Sequence, residues 1–156
     1  MKNKFFTLSL LTILLSSPAF SQDSGFGIGA ILGSPTGVSF KVWASKTSAF
    51  DAAVTWSFYN NGSINFHFDY LWHKFNLIPV DEGKFPLYIG VGPKFGYSTD
   101  IELGAQFELG FRVPVGVDYI FKSVPIDIFV EVAPSLMVLP ETVFRLDGGL
   151  GARYFF

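Results

Sequence analysis

The chain has 156 residues, of which 49% are hydrophobic, 18% aromatic and 15% charged, with a formal charge of −2 and no cysteine. That is one domain's worth of chain. It has no material for a disulfide framework, thiolate metal centre or Cys nucleophile, and no basic block of the kind that tracks phosphates, so nucleic-acid binding is disfavoured.

Lys2 and Lys4 open the chain, an apolar stretch runs from Phe5 to Leu15, and Pro18-Ala19-Phe20-Ser21 follows with small residues three and one before a break. This is the pattern of a secretory signal peptide over residues 1–21, cleaved before Gln22. Losing Lys2 and Lys4 leaves nine basic against 13 acidic residues, a formal charge of −4. Beyond that segment no apolar run approaches the roughly 20 residues a spanning helix needs.

Residues 22–156 instead alternate with period two, the mark of strands that have one apolar and one polar face. Val38, Phe40, Val42 and Ala44 stand against Gly37, Ser39, Lys41 and Trp43; Phe50, Ala52, Val54, Trp56 and Phe58 against Asp51, Ala53, Thr55 and Ser57. After Asn60-Asn61-Gly62, a hairpin signal, Ile64, Phe66, Phe68, Tyr70 and Trp72 stand against Asn65, His67, Asp69, Leu71 and His73. The pattern predicts strands over 24–32, 36–44, 49–59, 63–74, 86–97, 104–121, 125–138 and 143–156. Eight is an even number, and the one longer connection runs from Asn76 to Phe85. Pro93 and Pro114 fall inside strands, where a missing N–H removes a ladder hydrogen bond. Pro114 is expected to mark a bulge or the point where the sixth strand leaves the membrane.

Glycine decides which face points inward. Gly27, Gly29, Gly37, Gly90, Gly92, Gly96, Gly110, Gly116 and Gly151, among others, lie on the polar face, whereas Gly148 alone falls on the apolar one. A water-facing surface has no use for so many bare positions, but the interior of a narrow eight-stranded barrel does. The prediction is therefore all-β: an eight-stranded antiparallel up-and-down transmembrane β-barrel, polar inside and apolar outside, closed because lipid cannot hydrogen-bond a free sheet edge. Trp72, Tyr97, Tyr119 and Phe121, near strand ends, suit membrane interfaces.

The chain ends GLGARYFF, with Leu150, Ala152, Tyr154 and Phe156 on one face. This row, with the signal peptide and eight strands, resembles the small bacterial outer-membrane barrels of the OmpA transmembrane-domain and OmpX type. The resemblance implies residence in the outer membrane among its lipids, and recognition of the terminal row by the barrel-assembly machinery during insertion, with a monomer as the expected state. It also implies long outer loops, from which this chain departs: the turns at Gly33 to Thr36, Asn60 to Gly62 and Leu139 to Thr142 are short, which argues against an adhesin or receptor.

The inward ionisable set is Lys41, Asp51, His67, Asp69, His73, Lys94, Glu108, Arg112, Asp118, Asp127, Glu131, Arg145, Asp147 and Arg153. Charges so enclosed need partners, so a lumen network of salt bridges is expected, either a plug or a narrow gated pore. His67 and Asp69 as an acid/base pair sit about 7 Å apart along a strand, beyond hydrogen-bond reach, and no G-x-S-x-G elbow is present. No enzyme activity, cofactor or metal is assigned; spacing of His67, Asp69 and His73 alone is a weak metal signal. GFGIGA, Gly25 to Ala30, lacks the strand before and helix after it that a dinucleotide loop requires. The alternatives are an outer-membrane lipid-modifying enzyme and a soluble periplasmic lipocalin-like barrel holding an apolar ligand.

Overall fold

The computed structural model describes residues 24–57, 62–100 and 104–156; the predicted signal peptide and part of the Asn60-Asn61-Gly62 turn lie outside them. The strands are β1 Phe26–Ser34, β2 Thr36–Trp43, β3 Ser48–Ser57, β4 Ser63–Lys74, β5 Leu87–Asp100, β6 Gly104–Arg112, β7 Val115–Ile120, β8 Ile126–Leu139 and β9 Val143–Phe155. Each pairs antiparallel with its neighbours, and β1 pairs with β9, closing the sheet. β6 and β7 together occupy one place between β5 and β8, so nine segments make a ring of eight.

Pro114 splits that sixth strand but does not bulge it. Gly92 pairs with Arg112 and Ile89 with Val115, and opposite them Arg112 pairs with Ser135 and Val115 with Val132, so the register is unchanged across Val113-Pro114 on both sides. Hydrogen bonds from Gly90 N–H to the Pro114 carbonyl (2.8 Å) and from Val113 N–H to the Pro134 carbonyl (3.0 Å) carry the ladder through. The proline costs one donor and nothing more. The irregularity in this part of the ring lies elsewhere, where Leu109 faces Leu139 but Gly110 faces Met137, leaving Val138 as the extra residue.

Alternation places Ser39, Lys41, Asp51, Asp69, Asp118, Asp127 and Arg153 inside, each at most 5% exposed, while Phe107, Phe144, Leu146 and Ile64 stand outside at 58% to 67%. This inverts a water-soluble protein, in which ionic groups are almost never fully buried unless paired. Inward glycines let large side chains cross the lumen: a Cβ on Gly151 would stand 2.3 Å from the Phe129 ring, and one on Gly116 2.5 Å from the Tyr88 ring.

The start of β1 and the C-terminal Phe156 lie at one end, called here the terminal rim, where Phe156 N–H donates to the Phe26 carbonyl at 2.9 Å. Its mouth is closed by Trp43, Ala49, Ile120 and Phe155, with Phe75 packed against them. The connection from β4 to β5 folds over this end, pinned by reciprocal backbone hydrogen bonds between Lys84 and Ile120 (2.9 and 2.8 Å) and by the Tyr119 hydroxyl donating to the Glu82 carbonyl at 2.8 Å.

Replacing Gly151 with Val is expected to drive a methyl group into Phe129 and cost about 1–3 kcal/mol, the usual range for overpacking. The readout is a lower temperature at which the folded band converts to the unfolded one in SDS gel electrophoresis.

Candidate functional site

The lumen is the one place where chemistry-bearing side chains gather among the described residues. Period-two strands aim alternate residues at the barrel axis, and eight strands leave just enough room for those side chains to meet. Near the terminal rim, Arg153 of β9 reaches three strands at once: Nε donates to Asp127 Oδ1 at 3.0 Å, Nη2 to Asp118 Oδ1 at 3.3 Å, and Nη1 to Asp51. Lys41 donates to Asp118 Oδ2 at 2.5 Å, lies 3.7 Å from Asp127 Oδ2, and has its Nζ 4.5 Å from the centre of the Trp43 ring. The Arg153 guanidinium is stacked 4.0 Å from the Phe129 ring. His73 points Nε2 at Asp118 Oδ2, 3.2 Å away.

Midway along the barrel Arg112 is the hub. It pairs with Glu131, lies 3.1 Å from Asp69 Oδ2 through Nε, and meets His67 Nδ1 at 2.9 Å through Nη1. Glu131 also accepts from the Tyr88 hydroxyl at 2.9 Å. At the end away from the terminal rim, Lys94 donates to Asp147 at 2.5 Å, and Arg145 grips Glu108 with two bonds of 2.8 and 2.6 Å. Arg145, placed by its parity in the lumen, stands at the mouth with its side chain 41% exposed.

The mouth needs these last pairs because the ladder does not close it. β6 pairs with β8 only from Leu109 onward, and β9 pairs with β1 only from Gly148 onward, so Gln106 to Glu108 and Val143 to Asp147 each have a backbone partner on one side. Arg145 to Glu108 and Lys94 to Asp147 join strands across that step.

His67 and Asp69 are brought nearer than their strand spacing implies. His67 Nε2 lies 3.8 Å from Asp69 Oδ2 and 3.9 Å from Asp51 Oδ2, the two aspartates being direct cross-strand partners. Asp51, His67 and Asp69 thus converge, with ligating atoms within 4.8 Å of one another; His73, the other sequence candidate, faces Asp118 instead. A metal does not suit the group. Arginine only donates, so His67 Nδ1 accepts from Arg112 and the ring proton belongs on Nε2, which offers a hydrogen and not a lone pair.

Sequence parity marked the ionic residues and put Trp43 on their face, but Tyr88, Phe129 and Trp43 were not recognised as the side chains that hold three of them. The signal was present: each lies in step with a named inward residue, Tyr88 with Gly90, Phe129 with Asp127 and Trp43 with Lys41.

Two solved structures resemble this arrangement. The chain superposes on the N-terminal β-barrel domain of Pseudomonas aeruginosa OprF with a TM-score of 0.66 at 12% identity, over 84% of this chain and 95% of that one. The chain has the fold of the small eight-stranded outer-membrane barrels. Neisserial surface protein A, NspA, is similar with a TM-score of 0.53 at 13% identity, over 84% of this chain and 93% of that one. No family model and no curated protein sequence matches.

Within this barrel the lumen is not neutral in its formal charges. Among the described residues, seven carboxylates, Asp51, Asp69, Glu108, Asp118, Asp127, Glu131 and Asp147, face five cations, Lys41, Lys94, Arg112, Arg145 and Arg153. With acids in excess, the two kinds of residue are not equivalent. Arg112→Met is expected to strand Asp69 and Glu131 and cost about 3–5 kcal/mol, the range for breaking a buried pair. Asp69→Asn relieves the excess and costs less. Heat-shift temperatures of the two variants compared with wild type check the order.

Proposed function

We propose that this chain is an integral outer-membrane protein whose role is structural, a barrel with its lumen filled by its own side chains. The observation that carries it is the inversion of polarity: buried lysine, arginine and aspartate inside, and an exposed surface of phenylalanine, leucine and valine. Only a lipid surround makes that distribution favourable. Export through a cleaved signal peptide, contact with outer-membrane lipids, and a monomeric state belong to the same reading. Leu150 and Tyr154 are exposed beside Ala152, with Phe156 half-buried, on the outer face of β9, where assembly machinery could reach them. Tyr119 against Phe121 (4.7 Å), Tyr70 against Trp72 (4.9 Å) and Tyr154 against Phe156 (5.0 Å) cluster toward the terminal rim, with Tyr97 near the other. This fits two interfacial belts, and the reading takes the terminal rim as the periplasmic side.

The filled lumen favours a plug over a pore. Apolar packing seals the terminal rim, and the ion pairs above it leave a cavity of about 10 Å³ beside His67, Arg112 and Glu131, reaching Ser34 and Pro35 at the opposite end. That is room for about one water. The second reading, a gated narrow pore, is favoured by this cavity, which leads inward from the outer mouth, and by a wider one of about 340 Å³ at that mouth beside Glu108, Met137 and Arg145. A catalytic role gains no support from His67, whose Nδ1 is occupied by Arg112 in mid-lumen, away from lipid. The polar interior equally disfavours a lipocalin-like ligand cavity.

Cell fractionation is expected to leave the protein in the carbonate-washed outer membrane, with mobility in SDS that changes on heating. Release into the soluble periplasm without a shift would overturn the reading. In planar bilayers, wild type and the variants Arg112→Gln, Arg145→Gln and Arg153→Gln are expected to give no steady conductance. Channel steps that grow when one of these arginines is neutralised would establish the gated pore instead.

A further inference from the structure

The outward row of β4 reads Ile64, Phe66, Phe68, Tyr70, Trp72, Lys74. Bare apolar side chains give way to aromatics with polar tips and then to a cation, the sequence of environments met in passing from hydrocarbon to headgroups. Beyond Lys74 the chain turns into the connection that crosses the terminal rim. Between that connection and the β2–β3 turn lies a cavity of about 350 Å³, walled by Phe75, Ile78, Val80 and Phe85 with Lys46 and Lys84 beside them. Ile78 and Val80 are exposed, as is Leu77 next to them.

Charge is distributed unevenly between the two ends. Among the described residues, the four lysines outside the lumen, Lys46, Lys74, Lys84 and Lys122, all belong to the terminal rim, while Glu141 occupies the opposite end. The acids of the connection, Asp81 and Glu82, do not line the cavity; their carbonyls receive Lys122 and Tyr119 and so hold the connection in place.

We propose that this cavity binds one anionic phospholipid of the periplasmic leaflet, with its headgroup phosphate between Lys46 and Lys84 and the start of an acyl chain against Ile78 and Val80. The volume lies in the range of small-molecule pockets, apolar walls beside two ammonium groups match an amphiphile with a negative head, and basic residues near a membrane surface favour anionic lipid. The site rests on the membrane reading above.

The test is native mass spectrometry of the full-length mature protein in detergent, incubated with equal amounts of phosphatidylglycerol and phosphatidylcholine of matched chains, and separately with inorganic phosphate alone. Wild type is expected to retain one phosphatidylglycerol in preference to phosphatidylcholine. Lys46→Gln with Lys84→Gln is expected to lose the preference, and Ile78→Asp to lose retention with both lysines present. Equal retention of the two lipids by wild type, or a preference that survives the double lysine change, overturns the proposal. So does phosphate that binds alone and is indifferent to Ile78→Asp, which would mark a small-anion site. The heat-dependent gel shift separates the two readings: a wild-type barrel that shifts yet shows no lipid preference refutes the site alone, and one that never shifts refutes the membrane barrel.

Discussion

Arg153 sets the problem that the rest of the barrel solves. A guanidinium fully withdrawn from water costs several kcal/mol unless its surroundings return the hydrogen bonds it has lost. Here it meets carboxylates from β3, β7 and β8 and the face of Phe129. Those partners cannot be supplied by one strand or one hairpin. They converge only when the sheet has closed, so the ionic centre and the closure of the barrel depend on each other. Three aspartates around one arginine would repel were Lys41 not also lodged against Asp118 and Asp127. The cluster therefore works as a unit, and no single pair within it has an independent value.

Room for such a centre is made by what is missing around it. Phe129 can lie across the lumen over Arg153 because Gly151 offers no Cβ in its path, and Tyr88 reaches Glu131 past Gly116 in the same way. The backbone strands then come close enough to carry aromatic rings inward as well as outward. Outside, aromatics pack along the wall itself, Phe50 stacking on Phe68 at 5.4 Å and meeting Tyr70 edge-on at 5.1 Å. The same residue class thus does two jobs, wedging charge within and facing lipid without, and parity alone separates them.

Parity is also what made so much of the fold legible before any coordinates. A strand has a period of two, so one run of alternating residues assigns every side chain to a face, and β4 was readable to its last residue. Partners were not. Lys41 and Asp118 are 77 positions apart, Arg153 and Asp51 102, and which residues meet across a lumen depends on register and stagger all round the ring. Proline misled for a related reason. Pro114 resembles an interruption in sequence, yet a residue whose N–H is missing can keep its place when its carbonyl and its neighbours still bond, as Gly90 and Val113 show. The real irregularity, at Val138, has an ordinary strand former and no mark. The apolar seal went unread because Trp43, Ile120 and Phe155 occupy inward positions that the polar face was expected to fill; only their shared position at one end explains them.

The two ends are closed by different physics, and this orders their firmness. At the terminal rim Trp43, Ile120 and Phe155 exclude water by packing, and apolar burial is insensitive to the screening of charge. At the opposite mouth the backbone ladder stops short, and the strands are joined through Arg145 with Glu108 and through Lys94 with Asp147. The first of these pairs is partly exposed, so solvent and salt screen it, and such pairs are worth on the order of 0–1 kcal/mol. Between them the buried centre cannot yield without uncovering unpaired charge. The barrel is accordingly rigid from its sealed end to its middle and softest at the rim where β6 and β9 stand free on one side. Entry to the lumen begins there, past the buried Lys94 and Glu108 of the mouth and then on to Arg112, Glu131 and the neutral ring of His67.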